Sequence, residues 1–299
     1  MIKCNIKHFV ILLLIIYEIN FAIFYKYKRK KIIYTFWEPK EKIPGYLSLC
    51  IKTWKKFLPE YKVIILDYKK SKNYLGVKMF NNIISQNMTT MVQTDAIRVA
   101  ILNKYGGIWM DSDNIVTNGK FIKSFQKQEL VMVWDKFVSY PFIAFIYTAK
   151  KSSIIQQWLD IIIDRVNNFT NVISNPENTT NWLKLNADVN EWFFLGNGII
   201  NNLIKNVSTK KFLGIHCDDI QVFPELKLVK NDTLDFRQKY ELYFFNKGDP
   251  QPVLDTAHDF IFLQNSWTPP KYKQMTEDEF LHQDILLSKL LAKLLDIKV

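Results

Sequence analysis

Short apolar runs alternate with segments of helical spacing after residue 31. Residues 32–37 (IIYTFW) form an apolar run that predicts a first strand. Apolar residues recur at three- and four-residue spacing over residues 46–58, which predicts a helix ending at Pro59. The run Val63–Leu66 predicts a second strand. This β-α-β opening predicts an α/β fold with a parallel sheet flanked by helices.

The stretch of residues 94–115 combines a helix, a glycine pair and a short strand. Its helical part has an apolar stripe formed by Ile97, Ala100 and Ile101. The glycine pair at 106–107 predicts the helix end, because glycine readily adopts the left-handed conformation found there. Ile108–Met110 predicts a brief buried strand, and two carboxylates, Asp111 and Asp113, follow at its end.

Further elements are predicted along the rest of the chain. Ser152 or Ser153 is placed to cap a helix, and the polar, Asn-rich residues 167–190 predict a loop or insertion. Gly196–Gly198 predicts a tight backbone site or a plain turn. The remaining predicted strands are Leu130–Trp134, Phe142–Tyr147 and Phe260–Leu263.

The C-terminal segment predicts one amphipathic helix. Thr276 and Glu279 form a capping-box pattern that opens it, and leucines from Leu281 to Leu295 face inward. No internal repeat or interdomain linker interrupts the chain, so residues 32–299 are predicted to form one domain.

Residues 1–31 predict an N-terminal membrane anchor with a basic flank. The apolar run Phe9–Tyr25 is short for a membrane-spanning helix, and lysines lie on both sides of it. A signal peptide is the alternative, but no small-residue cleavage site follows the run. The heavier positive flank on the C-terminal side favours a cytosolic domain. The cytosolic face of a bacterial inner membrane and the Golgi lumen both stay open.

Composition and charge narrow the class of protein. The 299 residues are 48% hydrophobic and 15% aromatic, which is typical of a packed globular enzyme. The net charge of +11 favours anionic partners, although a solvated lysine surface explains it equally well. No basic-aromatic module indicates nucleic-acid binding. Three cysteines, Cys4, Cys50 and Cys217, indicate neither a disulfide framework nor a metal site.

The two carboxylates after the central strand are the main candidate for chemistry. At strand spacing, Asp111 and Asp113 point to the same side. Paired carboxylates repel each other unless a positive charge lies between them. Because carboxylate and phosphate oxygens are the ligands that Mg²⁺ and Mn²⁺ prefer, the pair predicts a divalent cation site. Solvated loop carboxylates are the alternative.

A helix face and a sheet edge extend this candidate site. Asp95 and Arg98 are three residues apart and share a helix face, as functional residues or as a structural ion pair. Ligands of parallel sheets bind beyond the carboxyl ends of the strands. Trp37, Asp67 and the acidic residues after the central strand all fall at such ends, although Asp67 also suits a turn.

These residues carry a resemblance to a known family. The stretch TDAIRVAILNKYGGIWMDSD resembles the core motif of the DXD-containing sugar transferases, which include bacterial capsular polysaccharide synthesis glycosyltransferases, fungal initiating mannosyltransferases and clostridial toxin glucosyltransferase domains. The similarity continues upstream from IIYTFW to VIILD, and downstream to FLGNGII and NSW. It covers nearly all of residues 32–290.

The resemblance implies a GT-A fold with a mixed, mostly parallel sheet, a nucleotide-sugar donor, a divalent metal, and retention of the anomeric configuration. It also implies a glycan or polysaccharide acceptor. The implied catalytic residues are Asp95, Arg98, Asp111 and Asp113. Those implied to bind the donor are Thr35, Phe36, Trp37, Asp95, Arg98, Asp111, Asn265, Ser266 and Trp267. The implied metal ligands are Asp111, Asp113 and Asn265.

One position departs from the family pattern. Gln264 stands where relatives often have a histidine, and His258 lies six residues earlier. The identity of the third metal ligand therefore stays open.

Two other functions compete with sugar transfer. A haloacid-dehalogenase-type phosphohydrolase also has an Asp-x-Asp after an apolar strand, with the first Asp as nucleophile. Asp218 and Asp219 resemble its downstream acidic pair, but the β-α-β segment before the motif and the Asp95/Arg98 helix argue against it. A non-catalytic, membrane-bound glycan-binding protein is the second alternative.

Overall fold

A mixed six-stranded sheet lies at the centre of the computed structural model, which describes residues 31–85, 88–120, 122, 125, 128–135, 140–173, 194–205, 211–216, 233–256 and 259–298. Contacts divide the chain into residues 1–31 and 32–299, and the second unit is described below. The strands are β1 (Lys31–Phe36), β2 (Tyr61–Leu66), β3 (Gly107–Met110), β4 (Asn114–Val116), β5 (Leu130–Asp135), β6 (Tyr140–Thr148), β7 (Phe212–His216) and β8 (Phe260–Phe262).

Helices connect most of these strands. They are α1 (Gly45–Phe57), α2 (Tyr68–Leu75), α3 (Val77–Ile83), α4 (Thr90–Tyr105), α5 (Ser153–Ile173), α6 (Asn197–Ile204), α7 (Phe236–Phe245), α8 (Gln251–Thr256), α9 (Pro270–Lys273), α10 (Glu277–Leu281) and α11 (Leu286–Leu294). The predicted β1-α1-β2 opening is confirmed, whereas the helices α2, α3, α6, α7, α8 and α9 and the strands β4 and β7 were not predicted.

The sheet has the strand order β2-β1-β3-β6-β5-β7. β1 is parallel to β3, and β5 is parallel to β7. The backbone amide of Trp37 donates to Leu66 O at 3.0 Å, which places the ends of β1 and β2 at the same edge. β6 alone among these strands runs in the opposite direction. The prediction of a mostly parallel sheet is therefore confirmed, with β6 reversed because four residues are too few for a parallel crossover.

A second, two-stranded sheet joins distant parts of the chain. β4 pairs with β8 in antiparallel register, with Ile115 opposite Ile261. The Trp54 side chain of α1 is fully buried, and its Nε1–H donates to Asn114 O at 2.6 Å. The β4–β8 pairing therefore places the residues that follow β8 next to the segment that follows β3.

Helices cover both faces of the large sheet. Tyr34 of β1 packs in one apolar cluster with Ile97 of α4, whereas its neighbour Ile33 packs in another with Trp54 of α1. Because successive strand residues point to opposite faces, α4 and α1 lie on opposite sides of the sheet. Strands buried on both faces are expected to be continuously apolar, as IIYTFW is.

Two predicted elements differ from the structure or lie outside its described residues. α5 continues to Ile173, so the predicted loop at 167–190 begins too early, and residues 174–190 lie outside the described residues. The predicted N-terminal anchor also lies outside them. Within the part of the chain that is described, no helix combines the length and apolarity needed to span a membrane.

The prediction of a single C-terminal helix is wrong. The capping box of Thr276 and Glu279 is confirmed, but it opens the short helix α10. The chain then breaks before α11, because the Leu286 amide donates to Asn246 O at 2.7 Å, in the loop after α7. Docking against α7 therefore replaces one continuous helix with two.

The contact between α1 and α10 is a close backbone contact that we expect to be sensitive to substitution. A Cβ on Gly45 would lie 2.3 Å from Thr276 C and 2.4 Å from Glu277 N. Gly45→Ala should therefore lower the free energy of unfolding by roughly 3 kcal/mol, since backbone cannot move aside as a side chain can.

Gly248→Ala is the matched control, because its added Cβ meets the flexible side chain of Leu286 at 2.8 Å. Urea titration of both variants measures the difference. Equal losses for the two variants would contradict the importance of the α1–α10 backbone contact.

Candidate functional site

A tight turn follows β3 at the edge of the sheet where β1, β2 and β3 end. The amide of Asp111 donates to Ala144 O at 2.9 Å, and the amide of Asn114 donates to Asp111 O at 3.1 Å. The acidic pair, Asp111 and Asp113, therefore follows the end of β3 as predicted, but it lies in a turn, so strand spacing does not describe the directions of its side chains. The turn still brings Asp111 close enough for its charge to raise the pKa of Asp113.

Asn114 holds this turn in place. The residue is fully buried, and its Nδ2 donates to Ala144 O at 2.9 Å on β6. Its own carbonyl accepts from Trp54 Nε1. Sequence reasoning missed this role, since the signal, a polar residue at the start of an apolar run, is common in proteins.

Arg98 joins the helix α4 to the turn. Its Nη2 donates to Asp111 Oδ1 at 2.8 Å, and its Nη1 lies 3.1 Å from Asp95 Oδ1. Trp109 Nε1 also donates to Asp111 Oδ1 at 2.7 Å, and its ring lies 5.2 Å from the Arg98 guanidinium carbon. The prediction that Asp95 and Arg98 share a helix face is confirmed.

The burial of this pair distinguishes it from a surface salt bridge. The side chains of Arg98 and Asp95 are 5% and 7% exposed, whereas that of Asp111 is 33% exposed. Arg98 Nε is buried and makes no hydrogen bond within the described part of the chain. A buried, unsatisfied donor is costly, so a hydrogen-bond acceptor supplied by a ligand would satisfy it.

Gly196 packs directly against the Asp95 carboxylate. A Cβ at Gly196 would lie 2.5 Å from Asp95 Oδ2 and 2.8 Å from Ile143 Cδ1. The segment is held by α5, where Trp158 Nε1 donates to Leu195 O at 2.8 Å. The predicted tight backbone site at 196–198 therefore forms one wall of the site, which the sequence pattern did not indicate.

Asp113 is held by the segment that follows β8. Asp113 Oδ2 accepts from the amide of Asn265 at 2.8 Å, and the amide of Leu263 donates to Asp113 O at 3.2 Å. The side-chain oxygen of Asn265 accepts from the hydroxyl of Tyr46 on α1. Residues 152 positions apart in sequence therefore meet here.

The other predicted donor-binding residues differ in how far they are exposed. Thr35 is fully buried and Phe36 nearly so, which leaves Trp37, half-buried at the end of β1, as the accessible member of that set. After β8, Ser266 is exposed and Trp267 is half-buried. The turn interpretation of Asp67 is confirmed, since its Oδ1 accepts from the Lys70 amide at 2.5 Å and caps α2. His258, Asp218 and Asp219 lie outside the described residues.

Two carboxyls of the site have raised pKa values. Burial raises the pKa of Asp95 from 3.8 to about 7, against the opposing effect of Arg98, and the charge of Asp111 raises it further. Burial also raises the pKa of Asp113 to about 7, and the charge of Asp111 adds to this rise. Arg98 forms ion pairs with Asp95 and Asp111, whereas Asp113 forms none within the described residues.

The donor set suits a hard divalent cation. Mg²⁺ is typically held by one or two carboxylates, with substrate phosphates and water completing its shell. The acidic pair matches that pattern, and a bound cation would relieve the repulsion that raises the pKa of Asp113. Over the described residues, no third His, Cys, Asp or Glu side chain joins a metal-binding group.

The match to a protein-family model covers the acidic pair and the Asp95/Arg98 helix. Residues 14–173 match the family described as capsular polysaccharide synthesis protein. A comparison with curated proteins found no match.

Three solved glycosyltransferase structures have a similar chain path. PaToxG glycosyltransferase is 17% identical, with 67% of this chain and 79% of that chain covered and a TM-score of 0.39. A glycosyltransferase involved in the glycosylation of the major capsid of PBCV-1 is 12% identical, with 81% and 97% covered and a TM-score of 0.42. An active-site mutant of LgtC is 12% identical, with 81% and 93% covered and a TM-score of 0.40.

In metal-free buffer, the free energy of unfolding should fall as the pH rises from about 5 to about 8. Asp95 and Asp113 bind protons more tightly in the folded protein, with pKa values of about 7 against 3.8 for an ordinary Asp. The resulting stabilisation is complete below pH 3.8 and is lost as the pH rises through about 7.

Urea titrations across this pH range measure the effect, which for each carboxyl is at most about 1.4 kcal/mol per pH unit. Asp113→Asn cannot titrate and should show a shallower dependence than the wild type. An unchanged slope in that variant would contradict the raised pKa of Asp113.

Proposed function

Because the chain belongs to the capsular polysaccharide synthesis protein family, a family of glycosyltransferases, we propose that it transfers a sugar from a nucleotide-sugar donor with the help of a divalent cation. The observation that carries the proposal is the arrangement around Arg98, which bridges Asp95 and Asp111. A third carboxylate, Asp113, lies near them and forms no ion pair within the described residues. Mn²⁺ or Mg²⁺ is the proposed cation, and Asp111 and Asp113 are its proposed ligands.

The reaction breaks the bond between the anomeric carbon and a phosphate oxygen. Positive charge develops on the sugar, and negative charge develops on the departing diphosphate. A bound divalent cation supplies charge neutralisation for that leaving group. The protein residues have the separate task of holding the donor in a reactive orientation.

Arg98 and Asp95 suit the binding of the donor sugar. Arg98 has a rigid fork of donors, and its Nε is free to donate to a sugar hydroxyl or a phosphate oxygen. Asp95 accepts a hydrogen bond from a sugar hydroxyl through Oδ2, the oxygen that lies beside Gly196. Because both side chains are almost fully buried, hydrogen bonds to them are strong and fixed in direction.

We extend the proposal to the stereochemistry and the acceptor. Retention of the anomeric configuration follows from the resemblance of the central motif and is tested by NMR of the product. A glycan or polysaccharide is the proposed acceptor, and the net charge of +11 favours an acidic one. Membrane attachment through the N-terminal segment is part of the proposal as well.

Phosphohydrolysis is a weaker explanation of the same residues. In that mechanism the first carboxylate, Asp111, attacks phosphorus directly. Its Oδ1 already accepts hydrogen bonds from both Arg98 and Trp109, which lowers its nucleophilicity. Family membership also favours sugar transfer.

Asp113→Asn should reduce sugar transfer by at least about a hundredfold, because removing one carboxylate weakens charge neutralisation at the leaving group. The wild-type protein is first screened with UDP-glucose, UDP-galactose and GDP-mannose in the presence of Mn²⁺, and release of UDP or GDP is measured. EDTA should abolish the activity, and Mn²⁺ should restore it.

Asp67→Asn is the matched control. Asp67 lies at the end of the neighbouring strand β2 and caps α2, a role that Asn fills about as well. Its activity should equal that of the wild type. Full activity of Asp113→Asn, together with insensitivity to EDTA, would overturn the proposal, and release of phosphate from an aryl phosphate by the wild type would favour the phosphohydrolase.

A further inference from the structure

Two buried tyrosines reach the turn formed by residues 264–268 from different helices. The hydroxyl of Tyr46, on α1, donates a hydrogen bond to Asn265 Oδ1. The hydroxyl of Tyr240, on α7, accepts from the amide of Gln264 at 3.1 Å. Both tyrosines are fully buried. Both hydroxyls also interact with the side chain of Thr268. The Tyr46 hydroxyl therefore holds side chains of the turn, and the Tyr240 hydroxyl also holds its backbone.

The turn itself is compact and is linked to the acidic pair. The Trp267 amide donates to Gln264 O at 2.9 Å, and the Thr268 amide donates to Asn265 O at 3.2 Å. The amide of Asn265 then donates to Asp113 Oδ2. Any shift of Asn265 therefore changes the environment of Asp113.

The tyrosine rings would pack equally well without their hydroxyls. The Tyr46 ring lies 5.7 Å from that of Phe280, and the Tyr240 ring lies 5.1 Å from that of Phe244. Burying a hydroxyl costs free energy unless it is hydrogen-bonded, so phenylalanine would serve a purely apolar core better. Burial raises the pKa of both tyrosines, so each keeps its proton at neutral pH.

The contact with Tyr46 determines which end of the Asn265 amide faces a ligand. Because Oδ1 accepts from Tyr46, the Nδ2 group keeps both of its N–H donors, and it makes no hydrogen bond within the described residues. N–H groups bind anionic oxygens and do not ligate cations. This orientation favours a diphosphate oxygen as the partner of Asn265.

We infer that Tyr46 is a positioning residue that orients the Asn265 amide so that its N–H donors face the diphosphate of the donor, with Tyr240 holding the backbone of the same turn. The inference rests on the proposed function, since it assigns a role within that donor site. Asn265 was predicted both to bind the donor and to ligate the metal, and the inference keeps only the first of these roles.

The test compares Tyr46→Phe with Tyr272→Phe in the full-length protein. Tyr272 is buried in the same apolar cluster, but its hydroxyl makes no hydrogen bond within the described part of the chain. We expect Tyr46→Phe to lower kcat/KM for the nucleotide sugar by about tenfold, with KM for the acceptor unchanged. Tyr272→Phe should behave as the wild type.

A double-mutant cycle separates positioning from general destabilisation. Asn265→Ala should lose at least as much activity as Tyr46→Phe, and the double variant should be no worse than Asn265→Ala alone. Additive losses would overturn the inference. Full activity of Asn265→Ala would also overturn it, and that outcome can be measured even if Tyr46→Phe fails to fold. A wild-type protein without transfer activity in the donor screen would instead overturn the proposed function.

Discussion

The structure depends on one cation that compensates two carboxylates. Arg98 lies between Asp95, on its own helix, and Asp111, beyond the next strand. All three are wholly or partly buried, so removing any one of them would leave a charge in a medium that solvates it poorly. The glycine pair at 106–107 makes this possible, because α4 must reverse directly into β3 for residue 98 to reach residue 111. A Cβ on Gly106 would lie 2.7 Å from Lys150 N.

Asp113 is in a different electrostatic situation from Asp111. It accepts one backbone hydrogen bond from Asn265 and lies near a second negative charge. Burial and the charge of Asp111 raise its pKa, against the lowering effects of the Asn265 hydrogen bond and of Arg98. The acidic pair therefore combines one carboxylate fixed by Arg98 and Trp109 with one that forms no ion pair within the described residues. An asymmetric pair of this kind can bind a cation without losing its geometry when the cation is absent.

The site is assembled from segments that are far apart in the chain. The large sheet supplies the edge at which β1 and β3 end. The β4–β8 pairing brings the 264–268 turn to Asp113, and α5 holds Gly196 against Asp95. Tyr46 connects α1 to this turn. The packing of the core and the geometry of the site are therefore closely linked, since core helices provide the tyrosine hydroxyls and tryptophan N–H groups that fix the site's loops.

The sequence by itself determined the β1-α1-β2 opening, the end of α4 at the glycine pair, the Asp95–Arg98 contact and the position of the acidic pair at the end of β3. Each of these depends on residues within a few positions of one another, so periodicity and spacing contain the information. Only the tertiary structure decided the break before α11, the packing of Gly196 on Asp95 and the contact of Tyr46 with Asn265. These features join residues that are distant in sequence through single hydrogen bonds or close backbone approaches, and such contacts leave no periodic pattern along the chain.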